Sequence, residues 1–179
     1  MRRSELEHLL RAAGEIIDER QFVVIGSQSI LGKYPDAPEE LLRSREADFI
    51  AKNRPGRTGM LEAIGEASRF YETHGYYVDP VDSRTAVLPK DWKSRLINVC
   101  SPNTNGVTGL CLDPHDLFIS KLAAWRDKDI NFAKAMIRHR MVDKDRLLAL
   151  AARVPNPEDD LGCAARIKVR IERLYAEHE

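Results

Sequence analysis

At 179 residues, with 43% hydrophobic and 31% charged side chains, the chain has the length of one globular domain and enough apolar matter for a core. Lys and Arg number 28 and so do Asp and Glu, which excludes a global field driving the chain onto nucleic acid or an anionic membrane. The three cysteines, Cys100, Cys111 and Cys163, are odd in number and lack zinc spacing, which argues against a disulfide framework and for a reducing, cytoplasmic setting.

Met1-Arg2-Arg3-Ser4 carries charge with no apolar run after it, so neither a signal peptide nor a membrane span is expected. Leu6, Leu9, Leu10, Ala13, Ile16 and Ile17 recur at three- and four-residue spacing and predict an amphipathic helix over 4–19, with Ser4 as N-cap. Phe22-Val23-Val24-Ile25 reads as a short strand entering a Gly26-Ser27 turn, and residues 45–51 as a second strand. Asn53 to Thr58 is a basic loop. A helix is predicted over 59–74, ended by Gly75, then a strand at 76–81 with Pro80 near its end. Further strands are expected near 84–88, 95–100 and 107–111, the last two joined by the Pro102-Asn103-Thr104-Asn105-Gly106 turn. From Asp113 onward the pattern is helical, over 114–127, 129–140, 143–152 and 158–177. The expected fold is α+β: a core over 1–112 with a helical extension over 113–179 packed on it.

Two segments carry candidate chemistry. Along the strand Arg45-Glu46-Ala47-Asp48-Phe49, side chains alternate, so Glu46 and Asp48 share one face and Ala47 and Phe49 the other. Adjacent carboxylates repel, and a divalent cation is a common relief. The Gly26-Ser27 turn either brings backbone N–H groups to a phosphate or is a plain structural turn. Asp79 is the best candidate for a third acid, ahead of Asp82; a turn-forming role is equally open to both. The second segment is Asp113-Pro114-His115-Asp116, a helix start with proline at its first position. Counting from it puts Lys121 inside the stripe Leu117, Phe118, Leu122 and Trp125. Such an ammonium snorkels outward, finds an acid or holds an anion. Asp129 continues the stripe. Eight residues of helix span roughly 12 Å, so Lys121 and Asp129 meet one small group only if the helix breaks near Asp127.

Gly26-Ser27, the acid-x-acid strand, Asp113-Pro114-His115-Asp116-Leu117-Phe118-Ile119-Ser120-Lys121-Leu122 and Lys128-Asp129 together resemble the nucleotidyltransferase-fold proteins related to the AbiEii abortive-infection toxins. The resemblance covers roughly residues 5–150. It implies a minimal nucleotidyltransferase fold, a small mixed sheet flanked by helices. It assigns Gly26, Ser27 and Lys121 to a nucleoside triphosphate, Glu46, Asp48 and Asp79 to Mg2+ (or Mn2+), and Asp129 to a supporting acid. Catalysis would fall to Glu46, Asp48, Lys121 and Asp129. Glu46 stands where that family carries aspartate, and its extra methylene displaces the carboxylate.

The activity so implied is metal-dependent transfer of a nucleotidyl group from a nucleoside triphosphate to an RNA or protein hydroxyl. Its setting would be a toxin paired with an antitoxin protein, or phage defence. The alternative is a catalytically inactive protein of the same fold acting as a nucleotide- or protein-binding module. The Glu46 substitution supports it.

Overall fold

A computed structural model describes residues 1–156 and 162–178. The chain divides into two units. One comprises Met1–Thr85 and Leu96–Asp113, the other Ala86–Arg95 and Pro114–Glu179. The segment 86–95 thus groups with the C-terminal helices.

The first unit is built on a five-stranded mixed sheet of order β3-β2-β1-β5-β4. Its strands are β1 (Gln21–Ile25), β2 (Glu46–Ala51), β3 (Tyr77–Pro80), β4 (Ile97–Val99) and β5 (Thr108–Cys111). β1 runs antiparallel to β2 and parallel to β5, while β2 and β3 are parallel. β4 and β5 form the expected antiparallel pair around the 102–106 turn. In β2, Ala47, Phe49 and Ala51 are buried while Glu46, Asp48 and Ile50 are half-buried, the alternation the sequence predicts. The register carries the buried row across the sheet through Phe22 and Val24, Val78, and Gly109 and Cys111. On this face lies α1 (Arg3–Ile17). It presses so closely on β5 that a Cβ at Gly109 would stand 2.8 Å from Leu10 Cδ1. α1 begins earlier than Ser4 implies, because Glu5 turns back to accept the Arg2 N–H at 2.6 Å.

Two expectations fail here. The helix predicted over 59–74 is instead a 3-10 run, Pro55–Ile64, followed by the short α2 (Arg69–His74). Pro55, Gly56, Gly59 and Gly65 disfavour a continuous α-helix. Ser68 restarts the chain as N-cap, its hydroxyl accepting from Tyr71 N at 3.1 Å. Gly75 ends α2 with φ +77°, as expected. The strand predicted near 84–88 is a turn. The Asp82 carboxylate accepts the Arg84 N–H at 2.7 Å, and this local bond competes with a sheet ladder.

The second unit contains α3 (Pro114–Ala124), α4 (Asp127–Arg138), α5 (Lys144–Ala151) and α6 (Cys163–Ala176). The first part of the helix predicted over 158–177 falls outside the described residues. α3 does break before α4, at Trp125, whose φ is +54°. Arg170 of α6 holds the corner. Its guanidinium donates to the Leu122 carbonyl at 2.6 Å and lies 4.4 Å from the Trp125 ring centroid. Asp116, fully buried, accepts two parallel bonds from Arg95, at 2.8 and 2.7 Å. No helix among the described residues is long and apolar enough to cross a membrane.

Candidate functional site

The sheet face opposite α1 carries the acids. Glu46 and Asp48 alternate along β2, and Tyr77 and Asp79 alternate along β3 in the same pattern. The parallel register sets Glu46 beside Tyr77 and Asp48 beside Asp79. Three candidate acids therefore share one face, and Asp79 rather than Asp82 is the partner of the β2 pair. Asp82 lies beyond the strand, held by Arg84 at 3.1 Å.

Gly26 stands at the end of β1, one residue past Ile25, which pairs with Asp48. Its φ of +67° and ψ of −168° favour glycine. The space is closed as well: a Cβ there would lie 2.1 Å from Asp48 Oδ2. The turn and the acid strand are thus fitted to one another, and the glycine is required by both backbone and neighbour. Ser29 seals the turn, donating through its hydroxyl to the Gly26 carbonyl at 2.8 Å.

The field at this face is negative. Burial pushes the Asp79 carboxyl above the ordinary carboxylate range, and the charges of Glu46, Glu62 and Glu66 push it further. The Tyr77 phenol is raised too, first by burial, then by Glu46, whose carboxylate accepts its hydrogen at 3.1 Å. Glu62 and Glu66 carry no signal of their own in the sequence: they lie within the helix predicted over 59–74, and only the tertiary structure brings their charge to Asp79. Tyr77 was legible in principle, since it sits two residues before Asp79.

Among the described residues, no group of three or more His, Cys, Asp or Glu side chains forms a metal cage. Mg2+ rarely needs one. It is usually bound through one or two carboxylates together with waters and substrate phosphates. Asp48 and Asp79, oxygen donors on adjacent strands, fit that mode, with Glu46 turned toward Tyr77.

Lys121 and Asp129 belong to the helical unit. The break at Trp125 brings them together, with Nζ 3.1 Å from Oδ1, so the straight-helix separation of 12 Å does not apply. Asp129 is fully buried and also accepts from Arg126 Nε at 2.7 Å. Burial alone would raise its carboxyl; the Arg126 bond and the Lys121 charge outweigh it and hold it below the usual range. Lys121 further lies 5.2 Å from the Phe132 ring centroid. Of the three fates open to a lysine in an apolar stripe, pairing with an acid is the one observed.

A strand, a Gly-Ser turn and a carboxylate pair on one face of a small mixed sheet, with helices following in the chain, define the class: a minimal nucleotidyltransferase fold. The chain belongs to the family described as "Nucleotidyltransferase of unknown function (DUF6036)", which it matches over residues 4–159. No curated protein and no solved structure matches it.

Proposed function

We propose that this protein is a metal-dependent nucleotidyltransferase. It would move a nucleotidyl group from a nucleoside triphosphate to a hydroxyl of RNA or protein. The observation that carries the reading is the packing of Gly26 against Asp48, with Asp79 as the neighbour of Asp48 on β3. The absence of a side chain at Gly26 lets the Asp48 carboxylate sit against the turn, so that backbone N–H groups suited to phosphate and an oxygen donor suited to a metal ion lie side by side. The acids beside it supply hard oxygen donors. Mg2+ or Mn2+, held by Asp48 and Asp79 beside Glu46, would neutralise phosphate charge and polarise the attacked phosphorus. Gly26 and Ser27 bind and orient the triphosphate. Tyr77 fixes the Glu46 carboxylate. Lys121 and Asp129 take their roles, phosphate contact and supporting acid, from the AbiEii resemblance. Their ion pair supports an ammonium kept charged and oriented.

The same resemblance supports a toxin half of a toxin–antitoxin pair acting in the cytoplasm, or a phage-defence role. Expression of the wild type would then arrest growth, and Asp48→Ala would relieve it.

The direct test is transfer of label from each nucleoside triphosphate to a broad RNA pool and to protein. Wild type transfers with Mg2+ and Asp48→Ala does not. Equal inactivity of both, with nucleotide binding retained, favours the second reading, a binding module without turnover. One observation speaks for that reading: Glu46, longer than aspartate, is drawn to Tyr77.

A further inference from the structure

The carboxylate face of the sheet does not end at the acids. Two residues on along β2 and β3 come Ile50 and Val81, and the Val81 N–H continues the ladder by donating to the Phe49 carbonyl at 3.1 Å. Together with Pro55 and Pro80 they line a cavity of about 350 Å³. Two strand residues advance roughly 7 Å, so the cavity begins about that far from Asp48 and Asp79. The Gly26-Ser27 turn lies on the other side of them. Ile25 pairs with Asp48 in an antiparallel register, so Gly26 continues toward Glu46 and away from Ile50.

This order along the strands has a mechanistic meaning. In phosphoryl-type displacements the attacking and leaving oxygens lie roughly in line through phosphorus. If the leaving phosphates are held at Gly26-Ser27 and the attacked phosphorus at the acids, the acceptor hydroxyl must arrive from the cavity side. Resting on the nucleotide site proposed above, we propose that this cavity is the acceptor subsite, and that it takes the side chain of a protein tyrosine.

The chemistry of the walls selects that class. Among the described residues, no Lys or Arg lines the cavity; Asp82 does, and it occupies the neighbouring Arg84 at 3.1 Å. The cations of the adjoining loop are committed elsewhere. Lys52 donates to Gln21 Oε1 at 2.8 Å, Arg54 pairs with Asp18 at 3.3 Å, and Arg57 donates to the Ile17 carbonyl at 3.4 Å. An RNA end brings phosphates that need such cations. An apolar floor with a polar rim suits a ring that carries a hydroxyl at its tip. A phenol seated over Ile50 and Val81 can extend its oxygen toward the acids, whereas serine is too short. In the transfer, the phenolic oxygen bonds to the α-phosphorus and the α–β phosphoanhydride bond breaks. Pyrophosphate leaves and the phenolic proton passes to water.

Gly59 provides the test. It lines the cavity, and a Cβ there meets nothing within 4 Å, so a large side chain can be added without a backbone clash. Gly56 is equally open in the same 3-10 run but does not line the cavity. Labelled nucleoside triphosphate with Mg2+ is offered tyrosine-, serine- and threonine-containing peptides and a short RNA with free 3′ hydroxyl. Nucleotide binding is followed by calorimetry. The expected result is label on the tyrosine peptide. Gly59→Trp should lower it at least tenfold with nucleotide affinity within twofold of wild type, and Gly56→Trp should leave both unchanged. Label on RNA, or on serine or threonine instead of tyrosine, overturns the acceptor assignment alone. So does full activity of Gly59→Trp. Label on no acceptor while nucleotide still binds overturns the transferase reading and the acceptor assignment together. Absence of nucleotide binding by wild type overturns the underlying site and this assignment with it.

Discussion

Asp79 in the sheet unit and Asp129 in the helical unit are both aspartates in confined surroundings, and their neighbours push them in opposite directions. Around Asp79 stand Glu46, Glu62 and Glu66, which raise its proton affinity beyond the effect of burial. Around Asp129 stand Arg126 and Lys121, which reverse the effect of burial. A fold optimised only for stability would treat both alike. The face proposed for the nucleotide gathers carboxylates around Asp79, whereas Asp129 is clamped by two cations and in turn fixes the Lys121 ammonium.

Substitutions sharpen that contrast. The largest effect on stability is expected from Asp129→Ala, which leaves the Lys121 ammonium largely buried without its acid. The cost should be about 3 kcal/mol in urea unfolding. Its pH signature follows from the depressed carboxyl. The stabilisation is fully present above the unfolded carboxylate pKa and is lost as pH falls through the lower folded value. Gly26→Ala should come next, at about 2 kcal/mol, since it combines left-handed strain with a clash against Asp48. Nucleotide binding should fall in parallel because Asp48 must move. Smaller still, Glu19→Ala should cost about 1.5 kcal/mol. Its carboxylate accepts the Gln21 N–H at 2.9 Å and the Asn53 N–H at 3.0 Å, tying the start of β1 to the end of β2.

The smallest effect has the opposite sign. Asp79→Asn should raise Tm by up to about 2 °C at pH 7, a figure reduced for the partial solvation of the group. The sign is fixed by the raised carboxyl. Asp79 contributes its full stability only below the unfolded pKa and loses it as pH rises through the folded value. The advantage of the variant should therefore vanish near pH 3. A destabilised Asp79→Asn at pH 7 would break the comparison.

Much of the candidate site is legible in the chain, because it is local. Strand alternation alone puts Glu46 and Asp48 on one face, and Gly26 follows directly from the apolar strand before it. Pro114 opens α3 where the sequence places it. The remainder depends on contacts between distant segments. Nothing near Asp79 announces its register with Asp48; that is fixed by the parallel pairing of β2 and β3. The fate of Lys121 turns on a corner stabilised by Arg170, 45 or more residues downstream of that corner. The Pro55–Ile64 run departs from the helix predicted over 59–74 because Pro55, Gly56, Gly59 and Gly65 disfavour a continuous α-helix. The paired role of Asp116 needs Arg95, which the sequence places at the start of a strand expected near 95–100 and not beside a helix.

On the function proposed here, the carboxylate face beside Gly26 receives a nucleotide with its metal ion. Calorimetry of Mg2+-dependent nucleoside triphosphate binding, comparing wild type with Asp48→Asn at matched thermal stability, tests it most directly. Saturable binding by the wild type that requires Mg2+, and at least a tenfold loss in the variant, is the predicted result. Equal affinity of the two proteins would contradict it.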